Sequence, residues 1–235
     1  MHDFSRHVVL ITGAAGNLGK ALSDAFAHTG AHLILLDRVQ PPSTDSQGDD
    51  TARRITLGVD LLYRTKLEAA LSEASARLGA ITIVCNTVGG FQMGDAVHAT
   101  DSTTWDSMLD LNVRSMLNVC SLLVPSMIEQ GGGKIINVAA AAARQGQALM
   151  GAYCAAKSAV ASLTESMSAE LKDKGINVNC VLPSIIDTPQ NRAAMPDGRV
   201  ERWVAPADLA RVMLFLASDE AIAIHGARIP VYGRG

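Results

Sequence analysis

The stretch VVLITGAAGNLGK, residues 8–20, decides the fold of this chain. Its first four residues form a short apolar run, typical of a strand that is covered on both faces. Gly13, Gly16 and Gly19 follow at intervals of three, and helical spacing begins there. Glycines tolerate positive φ and allow close backbone approach, and the N–H groups that begin a helix attract phosphate. The stretch therefore predicts a strand, a tight turn and a helix that together bind a pyrophosphate.

Beyond this stretch, short apolar runs alternate with helical segments. The predicted strands are residues 8–11, 32–36, 56–59, 81–85, 134–138, 177–182 and 228–231. The main predicted helices after the first are residues 63–78, 102–129, 151–172 and 205–217. This alternation is typical of an α/β fold with a parallel sheet of about seven strands and helices on both faces. We expect a single domain over residues 1–235, with a loop at the polar segment 39–54.

Composition excludes several classes of protein. Hydrophobic residues make up 48% of the chain and charged residues 18%, which excludes disorder over most of its length. The net charge of −3 leaves no basic excess for nucleic acid, and the apolar runs are too short to span a membrane. The cysteines and histidines lack ligand spacing, so no metal site is expected. Cys85, Cys120, Cys154 and Cys180 are predicted to be reduced, buried thiols in a cytoplasmic protein.

An acidic residue ends the second predicted strand. Asp37 stands 18 residues beyond Gly19, where a carboxylate accepts hydrogen bonds from the ribose hydroxyls of a dinucleotide. The same carboxylate repels a 2′-phosphate, which favours NAD(H). Arg38 partly offsets that repulsion, so NADP(H) stays possible.

Polar residues also follow the third and fourth predicted strands. Asp60 either binds an adenine amino group or caps the following helix, and the sequence leaves both alternatives open. Asn86, Val88 and Gly89 follow the fourth strand. Turns at the carboxyl ends of parallel strands line the ligand crevice, so we expect these residues to contact the nucleotide.

A tyrosine and a lysine define the candidate catalytic helix. Tyr153 and Lys157 are four residues apart in GAYCAAKSAV, which places both on one helical face. A nearby ammonium stabilises phenolate, so we expect Lys157 to lower the pKa of Tyr153. Such a tyrosine can protonate a carbonyl oxygen during reduction, or deprotonate an alcohol in the reverse direction.

Together these motifs resemble the short-chain dehydrogenase/reductase family over essentially the whole chain. Further support comes from Asn112 in LNVRS and from the segments LPSIIDT, residues 182–188, and GARIPVYG, residues 226–233. The resemblance implies a Rossmann-like doubly wound domain that transfers hydride between nicotinamide and a small substrate. It implies that Asn112 supports a proton relay with Lys157, and that the chain forms a homotetramer or homodimer through its long helices. The expected cofactor contacts are Gly13, Gly16, Asn17, Leu18, Gly19, Asp37, Arg38, Asp60, Leu61, Asn86, Val88, Gly89, Tyr153, Lys157, Pro183, Ile186 and Thr188.

The chain departs from the family pattern at three positions, and one of them is Ser184, which replaces the usual glycine after Pro183. Asn17 occupies a usual glycine position of the turn, and asparagine tolerates left-handed backbone. Ala140 stands where the family has its catalytic serine, and residues 138–152 contain no serine or threonine. Loss of one such hydrogen-bond donor commonly costs on the order of 10²–10³ in rate. Either the enzyme is weak, or its substrate does not need that donor.

One group within the family suits the second alternative. The spaced residues LPxxxDTPxNRxxMP, 182–196, are similar to those of quinonoid dihydropteridine reductase-like members, which work without the serine. An electron-poor quinonoid acceptor takes hydride readily and demands less oxyanion stabilisation. The candidate substrate residues are Ala140, Phe91 and Arg192, with a substrate loop near residues 189–203.

We therefore expect an NAD(H)-dependent oxidoreductase that acts on a small carbonyl or quinonoid compound. Dihydropteridine reductase activity proper is one alternative. The other comes from a different class, a nucleotide-binding protein with little turnover, because Ala140 lacks the serine hydroxyl.

Overall fold

The computed structural model of this chain describes residues 2–39 and 53–235. Its strands are β1 (Val8–Thr12), β2 (His32–Asp37), β3 (Arg54–Gly58), β4 (Ile83–Asn86), β5 (Gly133–Val138), β6 (Ile176–Pro183) and β7 (Arg228–Val231). All pair in parallel in one sheet of order β3-β2-β1-β4-β5-β6-β7, which confirms the predicted fold class. Residues 40–52 of the predicted loop 39–54 lie outside the described residues, and Arg54 belongs to β3.

Helices cover both faces of the sheet. They are α1 (Asn17–Ala27), α2 (Arg64–Leu78), α3 (Ser102–Leu109), α4 (Ser115–Glu129), α5 (Gly151–Leu171), α6 (Pro189–Ala194) and α7 (Pro206–Ala217). Side chains alternate across β1, so Val8 and Leu10 pack with α2, α4 and α5 in one apolar cluster. Val9 and Ile11 pack with α1 and α7 in the other. Both faces of β1 are buried, as its continuous apolar sequence predicts.

The predicted helix at residues 102–129 is interrupted. A π-helical turn, Asp110–Arg114, separates α3 from α4, and such turns are frequent at functional sites. The whole run Ser102–Glu129 is long and apolar enough to cross a membrane by length and composition, with 39% of its most apolar window buried. Met116, Val119 and Leu123 on this run pack into the core against the sheet, which accounts for much of its apolar character.

The sheet order creates a crevice beside β1. After β1 the chain forms β2 and β3 on one side of β1, and it then crosses over to form β4 on the other side of β1. Connections therefore diverge from the carboxyl ends of β1 and β4, which is where ligands bind in open parallel sheets. The glycine turn, the residues after β4 and the first turn of α5 all lie at this edge of the sheet.

Candidate active site

The glycine turn between β1 and α1 requires two of its three glycines. Gly13 has a φ of +67°, and its carbonyl accepts a hydrogen bond from the Gly16 amide at 3.0 Å. A Cβ on Gly19 would stand 2.2 Å from the Gly13 carbonyl oxygen, so only glycine fits there. Gly16 occupies the N-cap position of α1, and no side chain caps this end of the helix. The amides of the first helical turn are therefore free to bind an anionic group.

This turn forms one wall of a cleft of about 290 Å³. The cleft is lined by the predicted cofactor residues Gly13, Gly16, Asp37, Arg38, Asp60, Leu61, Val88 and Gly89. Thr87, in the turn at residues 86–89 that was expected to line the crevice, also lines the cleft. The sequence did not single out the other lining residues, which are Val59, Leu62, Asp110, Leu111 and Ser115. Each of these residues lies within three positions of a predicted site residue. Closeness in sequence to a predicted residue was therefore the signal that could have found them.

Asp37 lies at the open edge of this cleft. One carboxylate oxygen accepts a hydrogen bond from the Ala15 amide at 3.0 Å, and the other accepts from the Arg38 amide at 2.7 Å. Both bonds fix the carboxylate beside the glycine turn. The fixed carboxylate retains lone pairs that can accept hydrogen bonds from ribose hydroxyls.

The Asp60 carboxylate is held by its own loop. Its Oδ1 accepts a hydrogen bond from the Leu62 amide at 2.9 Å, while Tyr63 occupies the N-cap position of α2. The alternative that Asp60 caps this helix is therefore wrong, because the helix begins three residues later than that alternative requires. Asp60 and Leu61 line the cleft instead.

Two predicted cofactor side chains point into the protein interior. The Asn86 side chain is buried and donates to Asn137 Oδ1 at 2.9 Å, and Asn137 in turn donates to Thr164 Oγ1 at 2.9 Å. Leu18 is buried in the apolar cluster beneath α1. A polar network and apolar packing hold the two side chains inside, so any contact of Asn86 and Leu18 with a nucleotide would come from their backbone.

The residues after β6 are arranged at the same edge of the sheet. Pro183 ends β6, Ile186 forms an isolated parallel bridge with Val204, and Thr188 caps α6 by accepting from the Asn191 amide at 3.1 Å. The helix α6 was predicted only as loop. Its N-terminal half meets the glycine turn, where Asn17 Nδ2 donates to Gln190 Oε1 at 3.0 Å.

Lys157 and Asn112 converge on the loop after β4. Lys157 Nζ donates to the Val138 carbonyl at 2.9 Å. Asn112 lies in the π-helical turn, and its side chain exchanges hydrogen bonds with the Gly90 backbone at 3.1 and 3.2 Å. A Cβ on Gly89 would stand 2.9 Å from Asn112 Oδ1 and 3.0 Å from Lys157 Nζ. The two side chains and the cleft wall therefore meet at Gly89.

Burial shifts the pKa of both Tyr153 and Lys157, the candidate catalytic pair. It lowers the pKa of the Lys157 ammonium to about 8. It raises the pKa of the Tyr153 phenol to about 12, with a smaller contribution from Cys154. The predicted lowering of the Tyr153 pKa is wrong for this structure, because desolvation dominates and the Lys157 ammonium is directed to Val138.

The surroundings of Tyr153 are largely apolar. Phe91 contacts its ring edge-on, with ring centroids 4.9 Å apart and an angle of 83° between the planes. Ala140 is buried beside Tyr153 in a small cluster with Ala142 and Cys154. The predicted substrate residues Phe91 and Ala140 are thus placed at the tyrosine.

The third predicted substrate residue is engaged elsewhere. Arg192 forms a bidentate ion pair with Asp187, at 2.6 and 2.8 Å, and this pairing lowers the pKa of the Asp187 carboxyl. Across residues 2–39 and 53–235, no group of three or more His, Cys, Asp or Glu side chains is close enough to hold a metal ion. The four cysteines are free and buried.

A family model described as short chain dehydrogenase matches residues 7–198. The chain belongs to the short-chain dehydrogenase family. It is similar to the NAD-dependent glycerol dehydrogenase of Listeria innocua, with 29% identity over 96% of this chain and 92% of that protein. As a short-chain dehydrogenase, the chain is an oxidoreductase.

Solved structures of this family share the same fold. Carveol dehydrogenase from Mycobacterium avium, in complex with NAD, is 26% identical with a TM-score of 0.87, covering 100% of this chain and 99% of its own. A gluconate 5-dehydrogenase from Burkholderia cenocepacia, in complex with NADP and tartrate, is 26% identical with a TM-score of 0.85. The match covers 97% of this chain and 94% of that structure's chain. Members similar to this short-chain dehydrogenase therefore bind either NAD or NADP.

Proposed function

We propose that this short-chain dehydrogenase transfers hydride between NAD(H) and a small carbonyl or quinonoid compound, with Tyr153 as the general acid and base. One observation carries the proposal. Gly89 lines the nucleotide cleft, and its backbone approaches both Asn112 and Lys157. The candidate catalytic side chains thus adjoin the place where a dinucleotide fits, since Tyr153 lies one helical turn before Lys157 on α5.

The cleft suits a dinucleotide chemically. The uncapped start of α1 offers amides to a pyrophosphate, and Gly13 and Gly19 allow the backbone to approach it closely. Asp37 offers carboxylate lone pairs to a ribose. In our proposal the remaining contacts come from Asn17, Arg38, Asp60, Leu61, Val88, Gly89, Pro183, Ile186 and Thr188.

In this proposal Tyr153 donates a proton to the substrate oxygen during reduction and accepts one in the reverse direction. In the reduction, the carbonyl carbon would take its hydride from NADH held in the cleft. A C–H bond forms there, the C=O π pair moves to oxygen, and the oxygen takes the proton of the Tyr153 hydroxyl. The products are an alcohol and NAD⁺, and the tyrosine is reprotonated from solvent through a relay that includes Lys157 and Asn112. A Lys157 pKa of about 8 suits proton transfer near neutral pH.

We propose NAD(H) as the preferred cofactor. The Asp37 carboxylate is held by two backbone amides beside the glycine turn, where it would repel a 2′-phosphate. Arg38 lines the same cleft and would reduce that repulsion, so NADP(H) is the weaker alternative.

The proposal has two alternatives, a narrower enzymatic activity and a function without catalysis. Reduction of a quinonoid dihydropterin is favoured by Ala140, because an electron-poor acceptor needs no serine donor, and by the residue pattern at 182–196. Nucleotide binding without turnover is favoured by the same Ala140 and opposed by the arrangement of Asn112, Tyr153 and Lys157.

We also propose that the chain works as a homodimer or homotetramer in the cytoplasm. Leu117 and Ile128 on α4 are 37% and 39% exposed, which leaves apolar side chains on a long helix for a second copy. The four reduced cysteines agree with a reducing compartment.

The test is NADH oxidation with quinonoid dihydropterin and a panel of quinones and ketones, using Tyr153→Phe and the control Tyr63→Phe. Tyr63 is an exposed tyrosine at the start of α2 that does not line the cleft, and it keeps its ring in the control. We expect Tyr153→Phe to lose at least about 100-fold in kcat with an unchanged Kd for NADH, because it removes only the proton donor. Equal turnover by the two variants would remove Tyr153 from the mechanism. NADH binding with no turnover by the unmodified protein would support the non-catalytic alternative.

A further inference from the structure

Apolar side chains on the Phe91 side of Tyr153 come from two loops that meet in space. The loop after β4 contributes Phe91 and Met93, and the loop after β5 contributes Ala140, Leu149 and Met150. The backbone joins the two loops, because the Gly94 amide donates to the Leu149 carbonyl at 2.9 Å. These five side chains are called the apolar wall below.

The apolar wall is continuous with the tyrosine. Phe91 contacts the Tyr153 ring directly. Ala140 and Met150 belong to the cluster that packs against Tyr153. Met93 and Leu149 line one small cavity together with Met150.

Much of the apolar wall is open to solvent. Phe91 is 58% exposed, Met93 56% and Leu149 45%, so three large apolar side chains are open to solvent, and Phe91 among them contacts the candidate catalytic tyrosine. Leu149 has a φ of +63°, a conformation that leucine rarely adopts. Such backbone strain persists where the surrounding structure imposes it, and it is concentrated at functional sites.

Four polar side chains, Gln92, Asp95, Thr100 and Thr104, line the same cavity as Met93 and Leu149, and three of them are hydrogen-bonded within the protein. Gln92 lies between Phe91 and Met93, and its amide donates to Thr104 Oγ1 at 3.1 Å. Arg192, the cation expected to meet a polar substrate, is occupied by Asp187. A polyol held against the side chains of Phe91, Ala140 and Met150 would lose hydration of its hydroxyls without gaining a hydrogen bond from these groups, which is costly.

We propose that the substrate carries an apolar ring or chain next to its reacting carbonyl, held by the apolar wall with Phe91 as the main contact. This inference rests on the proposed function and names the substrate class of the same site. It predicts alicyclic or aromatic ketones and quinones as substrates, and polyols or their ketoses as poor ones. Ala140 adds to this surface, because a methyl group stands where a hydroxyl would be.

The experiment compares kcat/KM with NADH for 4-phenylcyclohexanone, 1,4-naphthoquinone and dihydroxyacetone. We expect each apolar substrate to exceed dihydroxyacetone by at least about 10-fold, and Phe91→Ala to lower kcat/KM for the apolar substrates about 10-fold through KM. The NADH Kd should not change. Phe215→Ala is the matched control, since Phe215 is a 37% exposed phenylalanine on α7. Equal kcat/KM for polar and apolar substrates, or no effect of Phe91→Ala, would overturn the inference.

A binding measurement separates this inference from the proposed function. NADH-loaded protein cannot oxidise an alcohol, so 4-phenylcyclohexanol is an unreactive probe for it in calorimetry. We expect this probe to bind the unmodified protein at least fivefold more tightly than it binds Phe91→Ala, and glycerol to show no such difference. If no substrate is turned over but the unmodified protein still binds the probe more tightly than Phe91→Ala does, only the proposed function is overturned. Absence of the binding difference would overturn the apolar wall as a substrate site.

Discussion

Asn17 Nδ2 donates a hydrogen bond of 3.0 Å to Gln190 Oε1, and the two residues are 173 positions apart in the chain. Asn17 is the first residue of α1, and Gln190 lies in α6. The bond therefore joins the glycine turn to the segment that follows β6. The asparagine that replaces a family glycine has a partner that a glycine could not have.

Loss of this bond should loosen α6. An exposed hydrogen bond of this kind contributes about 0.5–1 kcal/mol, so amide hydrogen exchange in Pro189–Ala194 should rise about 2–5-fold in Asn17→Ala. Gln190→Ala should show the same rise, and the double variant should show no further increase. Gln130→Ala is the control, because Gln130 donates to Ser126 in a comparable exposed bond on α4. Additive effects of the two substitutions would show that the bond does not couple the segments.

Asp37 should set the cofactor preference. We expect Asp37→Ala to weaken NADH binding about 10-fold, because a charged hydrogen-bond acceptor for the ribose is lost. NADPH binding should stay equal or tighten, because the repulsion of the 2′-phosphate disappears. Fluorescence titration with each nucleotide measures the ratio of the Kd for NADPH to the Kd for NADH. The control is Asp173→Ala, a substitution at an exposed residue after α5. The assignment fails if NADPH already binds the unmodified protein as tightly as NADH.

Burial of Lys157 should make stability depend on pH. Its pKa is lowered to about 8, whereas an unfolded lysine titrates near 10.4. Between these values the unfolded chain binds more protons, so stability rises with pH. The cost of burying the ammonium is thus full at pH 7 and falls as the pH passes 8.

Lys157→Met removes this titration. We expect its Tm at pH 7 to exceed that of the unmodified protein by a few degrees, and the difference to narrow by pH 9.5. Calorimetry without cofactor measures this, and Lys172→Met, at an exposed lysine just after α5, is the control. A Tm difference between Lys157→Met and the unmodified protein that stays constant from pH 7 to 9.5 would contradict the lowered pKa of Lys157.

Ala140→Ser should separate ketones from quinones. Ala140 is buried in the cluster against which Tyr153 packs, so in the proposed mechanism we expect a serine hydroxyl there to hydrogen-bond the substrate oxygen. We expect kcat for 4-phenylcyclohexanone to rise about 10-fold or more, since a donor to the developing oxyanion is added. Turnover of 1,4-naphthoquinone should not rise, because a quinone demands less stabilisation. Ala142→Ser, in the same cluster, is the control, and an equal rise for both substrates would show a damaged general reductase.

The sequence alone determined the fold class and most of the cleft. Apolar strands, helical spacing and the glycine intervals are local patterns, and each follows from the backbone geometry of a few neighbouring residues. The cleft residues Asp37, Asp60, Val88 and Gly89 were predicted because the carboxyl ends of parallel strands meet at one edge. The spacing of Tyr153 and Lys157 was readable for the same local reason.

Only the tertiary structure decided what those local patterns leave open. It turned the Asn86 side chain toward Asn137, and it raised the pKa of Tyr153 by burial where the sequence predicted a decrease. It also brought Gln190 to Asn17 and assembled the apolar wall from two separate loops. Burial and side-chain direction depend on contacts between residues distant in the chain, and no local pattern encodes them.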